Sequence, residues 1–253
     1  MTALLEARDL VKHYGSVEAL RGASFELRAG EVVSLIGDNG AGKSTLVKCL
    51  SGAEQPDSGQ ILLDGAEVSL DRPTTARELG IETVYQDLAV APDLDPAANL
   101  FLGRELRRGG LLGKLGMLDK KEMRRQAATH FTQLGVSLQS LDVPIGSLSG
   151  GQRQSVAVAR SVAWASKLVF MDEPTAALGV VQRERVLDVI RRVRDNGIAV
   201  VLISHNMPEV LKVSDRIEVL RLGRRVARFD AAQTTLEELV GAMTGALTQE
   251  DAA

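Results

Sequence analysis

A lone cysteine, Cys49, in 253 residues leaves no intramolecular disulfide to hold the fold, the usual state of a chain in a reducing compartment. It reads as a small buried apolar residue. Aromatic residues are scarce at 3 %, and there is no surplus of positive charge: 33 acidic residues against 30 basic ones give a formal charge of −3. That balance excludes a global basic field for holding DNA or RNA non-specifically. Long apolar runs are missing too. The most apolar stretches, Ile198 to Ile203 and Leu168 to Met171, fall far short of the roughly 20 residues that cross a bilayer as a helix, so any work at a membrane needs another chain to hold this one there. Glu6, Arg8 and Asp9 interrupt the N-terminus before an apolar run can act as a signal peptide, so export is not expected. No repeat and no second copy of a motif is present. What remains, 45 % hydrophobic and 25 % charged residues, matches an ordinary globular protein of one large or two small domains.

The first third alternates as strands do: Ala23, Phe25 and Leu27 share one face, while Ser24, Glu26 and Arg28 share the other. ILLDGAEVSL adds a hairpin turning at Asp64-Gly65. Three other runs, VVSLIG (32–37), LVFMD (168–172) and IAVVLIS (198–204), are apolar on both faces and precede helix-like segments, the pattern of a parallel sheet covered on both sides. From about 87 to 160 the pattern is helical. Within it, RELRRGGLLGKLGML (104–118) reads as an exposed flexible connection, and Asp119 with Glu122 reads as a capping box opening a helix that ends near Gly135. The excess of Arg and Lys from 104 to 125 reads as a solvated helical face, with acidic lipid headgroups as the other reading. The expected fold is α/β: a core with a parallel sheet, an N-terminal antiparallel β subdomain and an inserted helical subdomain. It forms one domain over 1–245 and leaves a polar, frayed tail at 246–253.

Gly37, Asp38, Asn39, Gly40, Ala41, Gly42, Lys43, Ser44 and Thr45 follow G-x-x-x-x-G-K-[ST] between an apolar strand and the helix-like TLVKCLSG. Glycines let successive backbone amides converge on an anion, and the helix N-terminus adds the positive end of its dipole. Lys43 reaches the outer phosphates, and Ser44 offers a hydroxyl to magnesium. A plain glycine-rich turn leaves Lys-Ser-Thr unexplained. Asp172 and Glu173 close the second apolar strand, at the carboxyl edge where open α/β sheets bind ligands. Asp172 is placed to hold the magnesium shell, and Glu173 to orient and deprotonate an attacking water. An ordinary acidic pair at a strand end is the alternative.

Ser149, Gly150, Gly151 and Gln152 stand before the helix-like RQSVAVARSVAW and admit two compatible readings. One is a capping box, Ser at the cap and Gln three residues on. The other is a second anion site, because two adjacent glycines leave the amides of a helix N-terminus uncovered. A second site without a second lysine loop suggests completion by another copy of the chain. His205 could donate to a terminal phosphate or to the water, or make a structural bond in a turn. Gln86 could reach the metal through its amide oxygen. Tyr14 could stack on an adenine ring or sit half-buried in its strand. His13 and His130 read as surface or packing residues.

In order, Tyr14, GDNGAGKST, Gln86, LSGGQ, LVFMDE and His205 resemble the nucleotide-binding subunit of ATP-binding cassette transporters, from about Leu4 to Gly245. The resemblance implies a phosphate-loop NTPase core binding ATP and Mg2+. In it Tyr14 stacks adenine, Gln86 senses magnesium and the membrane subunit, and Glu173 and His205 serve hydrolysis. Ser149 to Gln152 would cap the γ-phosphate held by a second copy in a head-to-tail dimer. GDNGAGKSTLVKCLSGAEQPDSGQILLDG, VYQDLAVAPDLDPAANLFLGRE and EPTAALGV look most like ATPases of ribose-, xylose- and fructose-type importers. That likeness implies a homodimer at the cytoplasmic face of the inner membrane, under integral permease subunits and served indirectly by an extracytoplasmic sugar-binding protein. No nucleic-acid partner is implied. The permease is expected to dock on about Leu88 to Arg104, where Leu94 and Phe101 are apolar in a polar neighbourhood, with ordinary packing within the helical subdomain as the other reading of both. One position departs from the superfamily: Gly179 stands where an Asp is usual, as N-cap of the helix VVQRERVLDVIRRV. The competing function is a soluble cassette ATPase outside transport.

Overall fold

A computed structural model describes residues 3–84, 90–138, 140–176 and 178–247. In chain order the elements begin with strands β1 (Leu5–Tyr14), β2 (Val17–Leu27) and β3 (Val32–Ile36), then helix α1 (Lys43–Leu50). Next come β4 (Ser58–Leu63), β5 (Ala66–Glu67), α2 (Pro73–Glu78) and β6 (Ile81–Val84). Helices α3 (Pro96–Leu100), α4 (Gly110–Lys114), α5 (Lys120–Gln133) and α6 (Gly150–Val162) follow. The remainder is β7 (Leu168–Asp172), α7 (Val180–Asp195), β8 (Ala199–Ile203), α8 (Met207–Val213), β9 (Arg216–Arg221), β10 (Arg224–Asp230) and α9 (Leu236–Thr244). No helix among the described residues is long and apolar enough to cross a membrane.

The chain divides into two compact units. The first comprises Met1–Thr83, Ala165–Glu173 and Val193–Ala253. Its antiparallel sheet runs β2-β1-β4-β5, and the second sheet runs β10-β9-β3-β8-β7-β6. In the latter, β3 is parallel to both β8 and β9, and β7 is parallel to β8. All five residues of β3 and of β8 are buried, which explains their unbroken apolar runs. The alternation in β2 has the opposite cause: Ala23, Phe25 and Leu27 are buried and Arg28 is exposed. Asp64 and Gly65, at φ 53° and 79°, make the expected two-residue turn between β4 and β5. Leu5, Phe25, Leu46, Cys49 and Phe170 share one core. Burial pushes the Cys49 thiol up to about 11, so it stays protonated and packs as an apolar group.

Register sets the functional edge of this sheet. Leu35 of β3 and Asp172 of β7 both lie level with Ile203 of the strand between them. The loops that begin at Gly37, at Glu173 and at Ser204 therefore leave from one carboxyl edge.

The second unit comprises Val84–Trp164 and Pro174–Arg192. Asp95 caps α3 by accepting from the Ala98 amide at 2.7 Å. Phe101 is fully buried and meets Trp164 edge-on, ring centres 5.3 Å apart. It is thus a packing residue and no part of an exposed docking stripe. His130 lies 6.4 Å from the same indole ring. Asp119 caps α5 through the Glu122 amide, but the expected reciprocal bond is absent. The Glu122 carboxylate is drawn instead to Arg125 and Gln126, while the Asp119 amide donates to Leu106. Gly135, at φ 69°, ends that helical stretch as expected. Segment 104–118 is no unstructured connection: it contains α4, and Arg107 pairs with Leu118 across its base. At the C-terminus, Ala246 and Leu247 both donate to the Gly241 carbonyl and close α9, while the remaining tail lies outside the described residues.

Candidate functional site

In the first unit, β3 delivers the chain into the loop from Gly37 to Gly42, and α1 begins at once. Gly37 has φ 150°, and a Cβ there would collide with the Leu220 carbonyl. At Gly42, φ 101°, a Cβ would come 2.7 Å from the Ala19 carbonyl. Only glycine fits either place. Asp38, Asn39 and Gly40 form an exposed rim, and a Cβ on Gly40 would meet nothing, so the open side of the loop is clear. No side chain caps α1 and no acid occupies its first turn. Its N-terminal amides are left for an anion from outside. Ser44 is exposed at that terminus and Thr45 is half-buried.

Lys43 is half-buried and donates to the Gly37 carbonyl at 2.6 Å and the Asp38 carbonyl at 3.0 Å. Burial lowers its pKa, opposed by the charges of Glu173, Asp38 and Asp172 in that order. Asp172 is raised by burial and held down by Lys43. The ammonium and the carboxylates thus sense one another, as a site handling a polyanion and a cation requires. Glu173 has a left-handed φ of 49°, rare for a non-glycine residue, while its amide still donates to the Ile203 carbonyl at 2.9 Å. That turn sets its carboxylate 2.7 Å from Nδ1 of His205, which follows β8. Nδ1 donates to the carboxylate, leaving Nε2 for a phosphate or a water. The sequence leaves His205 to a phosphate, to the water or to a structural bond in its turn; the partner that the structure gives it is the Glu173 carboxylate. Strained backbone of this kind gathers at functional sites.

Tyr14 ends β1 opposite Val17, 41 % exposed, with the Lys12 ammonium 5.8 Å from its ring centre. One ring face is thus partly open. His13 bonds Asp57 at 2.9 Å. Gln86 lies outside the described residues.

In the second unit, Ser149 caps α6 with a complete box. Its hydroxyl accepts from the Gln152 amide at 3.3 Å, and the Gln152 side-chain oxygen accepts from the Ser149 amide at 3.0 Å. The loop borders a cavity of about 440 Å³ that Gln182 and Arg185 also line. A Cβ on Gly150 would meet nothing, whereas one on Gly151 would collide with the stem of Gln182. Gly150 is therefore open toward a ligand, and Gly151 is glycine because α7 lies against it.

An ABC transporter family model matches residues 20–176, more than half of the chain. The chain belongs to the ABC transporter ATPase family. The cassette is 51 % identical over 245 residues to the fructose import ATP-binding protein of Rhizobium meliloti, covering 96 % of this chain and 94 % of that one. It is 44 % identical to the xylose/arabinose import ATP-binding protein of Sulfolobus acidocaldarius, covering 96 % and 95 %. A ribose import ATP-binding protein of Burkholderia pseudomallei is 42 % identical, but only 46 % of its length is matched. Among solved structures, a nucleotide-free ATP-binding cassette superposes with TM-score 0.81 at 25 % identity, covering 96 % of both chains. A cassette in its ADP conformation gives the same TM-score and identity, covering 100 % of this chain and 99 % of that one.

Sequence reasoning about this cassette missed Gln182 and Arg185. Gln182 alone carried a signal, standing three residues after the cap glycine Gly179, where capping-box glutamines sit. Gly179 is exposed and its carbonyl accepts from the Arg183 amide at 3.0 Å, the geometry of an N-cap. A Cβ there would come 2.7 Å from the Gln182 side-chain oxygen, the mobile end of a flexible group.

Proposed function

We propose that this ATPase energises the import of a simple sugar through a membrane permease, working as a head-to-tail dimer. The observation that carries the reading is the Glu173–His205 pair at the sheet edge that also bears the lysine loop. The relatives that this chain covers almost end to end are named as sugar import ATP-binding proteins, which supports the substrate class. Residues 1–245 act as one ATPase domain, with the helical subdomain at about 87–160 inserted in it.

In this reading Tyr14 stacks the adenine, and the loop amides from Gly37 to Thr45 take up the β- and γ-phosphates with Lys43. Ser44, Asp172 and Gln86 would hold magnesium, whose charge would offset that of the phosphates. Glu173 takes the proton of the attacking water, and His205 orients Glu173 and the γ-phosphate. Of the two glycines expected to leave their amides uncovered, Gly151 is buried under Gln182, so the open Gly150 end of the Ser149–Gln152 cap receives the γ-phosphate bound by the second copy, since no lysine loop adjoins it in sequence. The protein sits on the cytoplasmic face of the membrane, and a binding protein outside delivers the sugar.

The permease docks on the stretch from about Leu88 to Arg104. Residues 88 and 89 lie outside the described ones. Leu94, 37 % exposed, lines a groove of about 380 Å³ with Asp95, Leu102, Met123 and Arg124, apolar walls with charges at the rim. Cysteine placed at Leu94 should crosslink to the permease in the assembled transporter, and crosslinks found only elsewhere would refute this docking site.

Gly179 bears on how two such sites communicate. Asp at a cap is only a few tenths of a kcal/mol better than Gly, and it has only the Gln182 amide to displace. Gly179→Asp should therefore change folding stability by less than about 1 kcal/mol. Restoring the carboxylate should instead change the Hill coefficient of permease-bound ATPase activity, because the two sites are loosely coupled without it. Paired melting and kinetic measurements decide. An unchanged Hill coefficient means that glycine is a tolerated cap.

A further inference from the structure

The segment between Leu106 and Leu118 is a built projection. Its base is closed by Asp119 donating to Leu106 at 2.7 Å and Arg108 donating to Met117 at 2.9 Å. Inside it, Met117 donates to Leu112 at 3.0 Å and Leu115 to Leu111 at 3.1 Å. Gly113 is buried against the Arg108 carbonyl, where a Cβ would collide. The turn is thus tight and largely satisfies its own backbone hydrogen bonds. Its side chains point the other way: Leu111 and Leu115 are 74 % and 73 % exposed, and Leu112 and Met117 are each 45 % exposed. A short turn spending its glycines to hold apolar side chains outward is poor design for a solvated surface.

Charge says what covers it. From Leu106 to Leu118 the sequence carries Arg107, Arg108 and Lys114 and no acid, and Lys120 and Lys121 follow. All five cations are exposed, and none stands in an ion pair among the described residues. The acids that flank Leu106–Leu118 in the chain, Glu105 and Asp119, stand at its base. Glu105 is held below the usual carboxylate range by the Gly103 amide and to a lesser degree by Arg107, and Asp119 is engaged in capping α5. On a chain of net charge −3, this is a local reversal of sign coinciding with an apolar tip. Apolar side chains with a collar of unpaired cations, on backbone that is largely self-satisfied, match the interface of an anionic bilayer. The tip enters among the acyl chains while Arg and Lys meet the phosphates.

We propose that the Leu106–Leu118 projection docks directly on anionic phospholipid, with Leu111 and Leu115 inserted and Arg107, Arg108 and Lys114 on the headgroups. This contact needs no permease, so it can be tested apart from the transport reading. The full chain is sedimented with vesicles of phosphatidylcholine alone or with about 30 % phosphatidylglycerol, at low and high salt. Wild type should bind the anionic vesicles about tenfold or more tightly than the neutral ones, and salt should weaken it. Leu111→Ser with Leu115→Ser should lower that binding about tenfold or more. Arg107→Gln, Arg108→Gln and Lys114→Gln together should remove the preference for phosphatidylglycerol. Melting temperature and the isolated chain's ATPase activity should stay at wild-type values, showing that the variants fold. Absence of wild-type binding, or equal binding by wild type and the serine variant, would overturn the proposal. Should the serine variant lose only co-purification with the permease, the tip is a protein contact and the lipid assignment is wrong.

Discussion

ATP hydrolysis by Glu173→Gln should fall by roughly two to four orders of magnitude while ATP stays bound, the scale of a lost general base, or about 3–5 kcal/mol of barrier. Glutamine keeps the length and shape of the side chain and can still accept the Nδ1 hydrogen of His205 now 2.7 Å from the carboxylate. It cannot take a proton from water. Because the strained turn at Glu173 belongs to the backbone, it should survive the change and hold the amide where the carboxylate was. With hydrolysis stalled, ATP should trap two chains around two nucleotides, visible as a doubling of mass by light scattering. Near-normal turnover would remove Glu173 from the role of base. A variant that binds ATP and remains a monomer would count heavily against the composite site.

Lys43→Ala should lose ATP binding, with affinity falling by roughly two to four orders of magnitude. Charge-assisted bonds to phosphate are worth about 1.5–3 kcal/mol each, and one ammonium serves both outer phosphates. In the protein as it stands, that ammonium donates to the carbonyls of Gly37 and Asp38. It is held in the loop, ready to be shared with an incoming anion. Burial lowers its pKa while three carboxylates support the charge, so it works as a cation in a setting that discourages one. Nucleotide titration is the measurement. An affinity equal to wild type would make the loop structural.

These two variants differ in how far their reasons could be read in advance. The lysine loop is a run of neighbours: its glycines, Lys43 and the following helix start lie within one turn of chain. The capping box at Ser149, the turn at Asp64-Gly65 and the apolar runs of β3, β7 and β8 are local in the same sense. Such features follow from contacts a few residues apart or from a periodicity of burial, and both are written in the order of residues. At Asp119 even a local pattern was only half realised, because Arg125 and Gln126 competed for the Glu122 carboxylate.

What the sequence by itself determined is therefore the chemistry available: a phosphate-binding loop, two carboxylates at a strand end, an uncovered helix start and no apolar run as long as a bilayer-spanning helix needs. Tertiary structure alone decided how those groups meet. It placed His205 on Glu173 across 32 positions, set the Leu220 carbonyl where a Cβ on Gly37 would be, and laid Gln182 against Gly151. It also buried Phe101 beneath Trp164 while turning Leu111 and Leu115 outward. The physical reason is common to all of them. Strand order and register select which distant residues share an edge, and close packing then selects which side chain has room; neither quantity has a period or a spacing along the chain.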